Sequence, residues 1–231
     1  MSAILITGAS RGLGLEFASQ YASEEARVFA ACRSPASADA LRNIEKNAAG
    51  NLSIVEMNVT DLGSIRRAAA QLNEASIDVL INGAGITGTP GQITGNIDYK
   101  SWAQVLDVNT LGPMRVLESF IEHIARSERK LVITITSAMG SLADNKSGGS
   151  IAYRSSKAAV NMAIRSAAID LAPRGISCVL VNPGWVRTDM GGSKAPLSPQ
   201  ESVRAMRQLI GTFGPKNSGR FYNYDGREYP W

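Results

Sequence analysis

The sequence predicts an α/β fold with a doubly wound parallel sheet, and three observations support this. Short apolar runs of strand length recur along the chain, helix-length stretches separate them, and a glycine-rich loop directly follows the first run. The runs are nearly continuous rather than alternating, which is typical of strands buried on both faces of a parallel sheet. The regular alternation of strands and helices then indicates a doubly wound domain.

The elements follow from these runs in chain order. Strands are predicted at 3–7, 27–31, 52–56, 79–81, 131–135 and 176–181. Helices are predicted at 12–22, 36–47, 61–75, 98–126, 151–172 and 199–212. Asp61, Ser150 and Ser198 stand where a helix N-cap is expected, and Pro199 suits a first helical position. The aromatic-rich segment 221–231 predicts a last strand and a tail that packs on the core, a partner subunit or a pocket rim.

A single domain is expected over residues 1–231. The length would allow one large α/β domain or two small ones. No Pro/Gly/Ser-rich linker divides the chain, because its Gly/Pro-rich pieces at 83–95 and 183–199 follow strands, where functional loops of α/β folds lie. Within the second piece, residues 186–198 are predicted to form a substrate loop.

Composition disfavours several classes of protein. The net charge is +4, but the basic residues are scattered, which favours a solvated surface over a nucleic-acid interface. The two cysteines and the single histidine give no zinc pattern, so no metal site is predicted. No apolar run reaches membrane-spanning length, and the first residues lack a signal-peptide pattern. We therefore expect a cytoplasmic protein with no membrane partner.

The first strand is followed by Thr-Gly-Ala-Ser-Arg-Gly-Leu-Gly at 7–14, which predicts a phosphate-binding loop of Rossmann type. Gly8 would permit a tight turn, Gly12 would let the backbone approach a pyrophosphate, and Gly14 would allow close packing of helix on strand. The spacing differs from the common G-x-G-x-x-G fingerprint, and a glycine turn needed only for packing is the alternative. The predicted cofactor-binding residues of the loop are Gly8, Ser10, Arg11, Gly12, Leu13 and Gly14.

The end of the second strand indicates which dinucleotide binds. NAD enzymes usually place a carboxylate there for the ribose 2′-OH, whereas this chain has Arg33, and Arg11 projects from the glycine loop toward the same region. Two guanidiniums can hold a 2′-phosphate through charge-assisted hydrogen bonds. NADP(H) is therefore predicted in preference to NAD(H), and two unrelated surface arginines are the alternative.

Four polar residues form a candidate catalytic set. Tyr153 and Lys157 are four residues apart on a predicted helix and so share a face. A nearby ammonium and a cationic nicotinamide would lower the pKa of the tyrosine and make it an acid/base. Ser137 ends a strand and could bond a substrate oxygen, and Asn109 could hold a water that links Lys157 to solvent. Each residue alone is more often a packing pair, a loop hydroxyl or a structural amide.

Taken together, these motifs resemble the short-chain dehydrogenase/reductase family, from Thr7 to about Met190. The resemblance implies a seven-stranded parallel sheet and assigns further cofactor contacts. It places Asn58 and Val59 at the adenine, and Lys157 with Tyr153 at the nicotinamide ribose. The remaining residues that it assigns to the cofactor are Asn82, Gly83, Ala84, Gly85, Pro183, Gly184, Val186 and Thr188.

Two features depart from the family pattern or narrow it. Position 58 is Asn where Asp is common, although an amide oxygen can still accept from the adenine amino group. Ser137 and Tyr153 are 16 residues apart, longer than usual, with the polar stretch 144–150 between them. This length and the sequence around 183–192 resemble the carbonyl-reductase branch that includes sniffer-type and C-factor-like proteins.

These patterns predict hydride transfer between NADPH and a small-molecule carbonyl or alcohol. Met139 and Trp185 are the candidate substrate contacts, although Trp185 could equally face outward as a packing or interface residue. The resemblance suggests a homodimer or homotetramer. A non-catalytic NADP(H)-binding sensor or signalling protein is the main alternative. An epimerase or dehydratase is disfavoured by the short chain, and a nucleic-acid binder is suggested only by the basic pI.

Overall fold

The computed structural model describes residues 2–24 and 26–231, and within them seven strands form one parallel sheet. The strands are β1 (Ala3–Thr7), β2 (Arg27–Cys32), β3 (Leu52–Glu56), β4 (Val79–Asn82), β5 (Leu131–Ile135), β6 (Ser177–Asn182) and β7 (Phe221–Asn223). They lie in the order β3-β2-β1-β4-β5-β6-β7, and each neighbouring pair is parallel. The predicted fold is confirmed, and each predicted strand begins and ends within one residue of the observed one.

Helices connect the strands and cover both faces of the sheet. They are α1 (Gly12–Ala22), α2 (Asp39–Asn47), α3 (Leu62–Gln71), α4 (Tyr99–Leu106), α5 (Gly112–Ala125), α6 (Ile151–Leu171) and α7 (Pro199–Thr212). Two apolar clusters, one against each face, form the core. This double covering is why the strand runs are apolar without alternation: every residue of β1, β4, β5 and β6 is buried.

Two of the three expected helix caps are present. The Asp61 carboxylate accepts from Gly63 N at 2.8 Å, and Ser198 forms a capping box with Glu201. Ser150 does occupy the N-cap position of α6, but it does not cap the helix. Its backbone is left-handed, with φ of 46°, and its side chain makes no cap bond. The N–H of Ile151 instead donates to Gln92 O at 3.4 Å, so a loop carbonyl accepts a hydrogen bond from the first residue of α6.

The single helix predicted at 98–126 is interrupted. A π-helical turn, Asp107–Leu111, separates α4 from α5. Pro113 explains the break, because it has no N–H to donate to the carbonyl of Asn109 four residues earlier and its ring crowds that carbonyl. At this turn Gly112 N reaches back five residues to Asp107 O. The candidate residue Asn109 therefore lies in an irregular turn rather than in a regular helix.

The order of the strands creates a crevice at one edge of the sheet. From β1 the chain moves outward through β2 and β3, then returns across β1 to β4 and moves away in the other direction. The loops after β1 and β4 therefore part at the carboxyl ends of adjacent strands, where open α/β sheets bind ligands.

The buried thiols Cys32 and Cys178 lie within strands, and burial raises the pKa of Cys178 to about 12. No helix in the described part of the chain is long and apolar enough to cross a membrane.

Candidate active site

The loops after β1 and β4 are in direct backbone contact at the crevice. Gly8 has a φ of 72°, and a Cβ added there would lie 2.8 Å from the Cα of Ala84. The hydroxyl of Thr7 accepts from Gly83 N at 3.1 Å and from Ala84 N at 3.3 Å. The structure therefore brings the glycine loop and the 82–85 segment together at the switch point of the sheet.

The start of α1 has the features of an anion site. Arg11 is its N-cap residue in extended conformation, yet no side chain caps the helix and its first turn contains no acid. The N–H groups at this end point into the crevice with the positive end of the helix dipole. A Cβ on Gly14 would lie 2.3 Å from Gly8 O, so only glycine lets the helix start this close to the loop. Ser10 and Leu13 flank this turn, and Leu13 lines the cavity described below.

The two arginines expected at a 2′-phosphate occupy different surroundings. Ala9 N donates to Ala31 O at 3.0 Å, so the glycine loop lies beside the end of β2, and Arg33 follows that strand as an exposed side chain. Arg11 instead pairs with Asp189 at 3.3 Å, with both side chains mostly exposed. An exposed pair of this kind contributes about 0–1 kcal/mol, so it would exchange readily for a phosphate.

Asn58 is already engaged where the resemblance places the adenine. Its Oδ1 accepts from both Thr60 N at 3.2 Å and Thr60 Oγ1 at 2.9 Å. An amide oxygen has two lone pairs, so the expected acceptance from an adenine amino group would compete with this local turn. Val59 is buried and packs against Gly112, which gives it a structural role as well.

Asn109 ties the π-helical turn to the loop after β4. Its Oδ1 accepts from Ile86 N at 2.9 Å, and its Nδ2 donates to Ile86 O at 2.8 Å and to Ser156 Oγ at 3.0 Å. Both amide N–H groups are thus used within the protein, and none of these bonds involves Lys157. These bonds fix the positions of the loop and of α6, and the relay water expected at Asn109 stays a prediction. Nearby, Asn82 Nδ2 donates to Thr134 Oγ1 at 3.4 Å, while its buried Oδ1 has no partner.

Lys157 is buried behind the tyrosine. Its Nζ donates to Ile135 O at 2.9 Å and lies 5.7 Å from the centre of the Tyr153 ring. Gly85 is close to the same ammonium, and the backbone of Gly140 packs directly on the Lys157 main chain. Burial lowers the pKa of Lys157 to about 8. An ammonium in this position therefore titrates much closer to neutrality than an exposed lysine does.

A stability measurement can test the lowered pKa. Between pH 8 and 10.5 the unfolded chain keeps the Lys157 proton while the folded chain loses it, so stability rises with pH across this window. The whole rise corresponds to about 3 kcal/mol at 1.36 kcal/mol per pKa unit. We expect urea unfolding at pH 7.5, 9 and 10.5 to show this rise for the wild type relative to Lys157→Met. Parallel stability curves for the two proteins would contradict the lowered pKa.

Tyr153 lies at the mouth of the crevice, half-buried on α6, with Ser137 beside it. Its hydroxyl donates to the sulfur of Met190 at 3.9 Å, and the Ser137 hydroxyl accepts from Met139 N at 3.1 Å. Burial raises the pKa of Tyr153, and interaction with the Ser137 side chain acts weakly in the opposite direction. The expected lowering of this pKa is therefore not produced by the chain's own groups, because desolvation outweighs the hydrogen bond with Ser137.

The segment after β6 forms the opposite wall. Pro183 O accepts from Ser202 Oγ at 2.7 Å, which ties this wall to α7. Trp185 is 57% exposed, but its ring lines the cavity and its N–H donates to Gly191 O at 2.8 Å. Val186 is buried and bridges to Leu197, so the base of the 186–198 loop is closed. The question of whether the tryptophan faces in or out is thus resolved: it borders the cavity and solvent at once.

These walls enclose a cavity of about 600 Å³ that contains Ser137 and Tyr153. Met139, Met190 and Trp185 line it, and so do Pro183, Gly184 and Thr188. The loop segment 87–92, which the sequence did not single out as a site, forms one full side. The sequence did carry a sign of this role, because the segment belongs to the Gly/Pro-rich piece at 83–95, after β4. Met190 could not be foreseen, because nothing in the sequence places its sulfur on the tyrosine hydroxyl.

The tail after β7 is tied to the loop that follows Ser137. Trp231 O accepts from Ala143 N at 2.8 Å and from Ser141 Oγ at 3.2 Å. Tyr229 Oη donates to Asp144 Oδ2 at 2.6 Å, and this bond raises the pKa of Tyr229 to about 12. Of the three places expected for the tail, the structure shows packing on the core, through Phe221, and contact with the loop between Ser137 and Tyr153.

Fold and site together define a dinucleotide-binding α/β protein with a serine, a tyrosine and a lysine gathered at its crevice. The short chain dehydrogenase family matches residues 2–197, and the chain belongs to this family. It is thus an oxidoreductase of the short-chain type, as the resemblance implied.

Individual relatives point to one branch of the family. The C-signal protein of Myxococcus xanthus is 45% identical over 167 residues, which cover 72% of this chain and all of that protein. The carbonyl reductase Sniffer of D. melanogaster has a TM-score of 0.93 at 32% identity, with full coverage of both chains. An NADPH-bound carbonyl reductase from chicken fatty liver has a TM-score of 0.93 at 33% identity and covers all of this chain and 94% of its own. The resemblance to sniffer-type and C-factor-like proteins is confirmed.

Proposed function

We propose that this protein is an NADPH-dependent carbonyl reductase. The observation that carries the proposal is the position of Tyr153: its hydroxyl opens into the cavity beside Ser137, with Lys157 buried behind it. A tyrosine held between a hydroxyl and an ammonium is suited to proton transfer at a carbonyl oxygen. The solved carbonyl reductases that resemble this chain, one of them with NADPH bound, support the reaction and the cofactor.

The crevice suits such a dinucleotide. The uncapped start of α1 would hold the pyrophosphate, and the close contact of Gly8 with Ala84 leaves backbone N–H groups rather than side chains facing it. Lys157 would bond the nicotinamide ribose, and the Pro183–Thr188 wall would contact the nicotinamide. Arg33 and Arg11 would hold the 2′-phosphate, with Arg11 leaving its exposed pairing with Asp189.

The protein groups would act together on one carbonyl. NADPH, when bound, supplies the hydride, and hence two electrons, that reduces the carbonyl carbon to an alcohol carbon. Ser137 donates a hydrogen bond to the carbonyl oxygen and fixes its direction. Tyr153 gives its proton to the same oxygen as charge develops there, and solvent later restores that proton. Lys157 favours the resulting phenolate electrostatically, while Asn109 keeps the loop and α6 in place.

The first test is titration of the purified protein with NADPH and NADH, followed by a carbonyl panel monitored at the reduced-nicotinamide absorbance band. Tighter binding of NADPH and consumption of it with at least one carbonyl are expected. Binding of neither nucleotide would contradict the cofactor assignment. Binding without turnover on any carbonyl would favour the sensor described below.

Cofactor choice can be tested at Arg33. The variant Arg33→Glu is expected to weaken NADPH binding by about 10- to 100-fold, since a hydrogen bond to a charged group contributes about 1.5–3 kcal/mol, and to leave NADH binding nearly unchanged. Isothermal titration calorimetry with both nucleotides measures this. Arg66→Glu, the same charge change at an exposed position on α3, is the control. Equal weakening in both variants would mean that only overall charge matters.

A second candidate function is an NADP(H)-binding sensor or signalling protein on the same scaffold. The 45% identity with the C-signal protein of Myxococcus xanthus favours it. A sensor would bind the nucleotide but would not need a tuned proton donor, so turnover separates the two candidates. In either case a homodimer or homotetramer is proposed, and analytical ultracentrifugation of the purified chain tests this.

A further inference from the structure

We propose that the substrate is an uncharged, largely apolar carbonyl compound, and that the site discriminates against carbonyl compounds carrying a carboxylate. This inference rests on the proposed function, since it concerns the substrate of the same site. It derives from what surrounds the cavity: among the 22 residues that line it, all within the described ranges, none has a charged side chain.

Sulfur, aromatic and proline side chains make up part of the cavity lining. Met139, Met190 and Trp185 line the cavity together with Pro90. The polar groups of the lining side chains are hydroxyls, amides and the indole N–H of Trp185, which donates to Gly191 O. Gln92, the amide of the 87–92 segment, donates to Thr89 O at 3.2 Å. Apolar groups of a ligand bind favourably against such a surface, because both lose contact with water. A charged group would meet only weak dipoles there.

The cations next to the cavity in sequence are turned away from it. Arg154 follows Tyr153, but its guanidinium bonds Gly148 O at 3.0 Å and Ser147 Oγ at 2.8 Å. Arg187 lies inside the 186–198 loop, yet its guanidinium donates to Ala195 O at 3.0 Å and to Pro196 O at 2.7 Å. Both guanidiniums therefore hold loops, and neither residue is part of the cavity lining.

The remaining nearby charges do not supply an anion partner either. Asp189 pairs with Arg11 outside the cavity lining, and a carboxylate at the rim repels another carboxylate. Lys157 is buried behind Tyr153 with its Nζ on Ile135 O, and it is absent from the lining. A carboxylate carried by the substrate would lose water without gaining an ionic partner, which is unfavourable.

A matched set of aryl ketones tests the proposal. In 4-acetylbenzamide and 4-acetylbenzoate the ketone, ring and shape are nearly the same, and only the remote group differs in charge. With NADPH in excess, we expect kcat/KM for the amide to exceed that for the carboxylate by at least tenfold. Calorimetric binding of both ketones to the slow variant Tyr153→Phe loaded with NADPH, whose reduced nicotinamide ring carries no positive charge, should show the same order, and this readout does not require turnover.

A charge placed in the wall should reverse the preference. Met139→Arg is expected to raise kcat/KM for 4-acetylbenzoate at least tenfold relative to the amide, because it supplies the missing cation. Met190→Lys, at a more exposed position of the wall, is a second variant in case Met139→Arg folds poorly. Met162→Arg makes the same charge change on the outer face of α6, where Met162 is 66% exposed, and should change neither value.

The substrate preference and the reductase activity would be contradicted by different results. If the carboxylate reacts or binds as well as the amide in the wild type, or if Met139→Arg and Met190→Lys act no differently from Met162→Arg, the substrate proposal is wrong and the reductase remains. If neither ketone is reduced by the wild type while the amide still binds more tightly, the cavity preference holds and the proposed reaction loses support.

Discussion

Replacing Tyr153 by phenylalanine is expected to lower kcat by about 10²- to 10⁴-fold, the range that a positioned general acid contributes. The ring still fills its place on α6, so NADPH affinity should change little. The loss should therefore appear in kcat rather than in nucleotide binding. Steady-state kinetics with any carbonyl that the wild type reduces, together with calorimetric titration of NADPH, measure both quantities.

Tyr99 supplies the matched control for this substitution. It lies at the start of α4, is 71% exposed, stacks on Trp102 and is not part of the cavity lining, so Tyr99→Phe removes the same hydroxyl outside the cavity. Its kcat should equal that of the wild type. A fall in kcat of less than tenfold in Tyr153→Phe would remove this tyrosine from the role of proton donor and leave the site without an evident acid.

Replacing Gly14 by alanine is expected to have the largest effect on the fold at the crevice. The new Cβ would lie 2.3 Å from Gly8 O and 2.8 Å from Gly8 C, both backbone atoms that cannot move without opening the turn. Overpacking of this kind costs about 1–3 kcal/mol and sometimes more. We expect a lower midpoint of thermal unfolding and loss of measurable NADPH binding, because the helix start must shift away from the loop.

The same substitution at Gly211 should act in the opposite direction. Gly211 lies in the last turn of α7, and a Cβ there would meet no atom within 4 Å. Alanine in a helix is favoured over glycine by about 0.5–1 kcal/mol. Differential scanning calorimetry should therefore show Gly211→Ala slightly more stable than the wild type and Gly14→Ala much less stable. Similar shifts in both would contradict the close packing at the crevice.

The sheet could be predicted from sequence because its strands carry their own signal. Burial on both faces requires uninterrupted apolar runs, and the glycine loop fixes where β1 ends and α1 begins. The same reasoning failed at 98–126, where apolar periodicity continues through a π-helical turn. The spacing of apolar residues indicates which face of a helix is buried. It does not reveal a π-helical turn, in which one extra residue is inserted. The chemistry of Pro113 was the available sign, because a proline inside a helix removes a hydrogen bond.

Residues of the site were predictable by type and spacing, but their bonds were not. The four-residue spacing of Tyr153 and Lys157 does put both on one face of α6. The burial that raises the pKa of Tyr153 exists only in the folded chain, which also brings Met190 onto the tyrosine hydroxyl from 37 residues away. Asn109 shows the same limit: its amide needed partners, and only the folded chain shows that Ile86 and Ser156 supply them.

The bonds from Tyr229 and Trp231 to the loop at 141–144 bear on how this protein would tolerate proteolysis. Removal of residues 229–231 would delete no strand of the sheet, since β7 ends at Asn223, although β7 would lose the hydrogen bond from Tyr229 N to Phe221 O. It would release Ser141, Ala143 and Asp144, and so free the stretch of backbone between Ser137 and Tyr153. Whether a protein tolerates the loss of a segment depends on the bonds that the segment makes, and its position in the chain matters less. A variant that loses the bonds of Tyr229 and Trp231 to this loop is thus expected to lose activity well before it loses its fold.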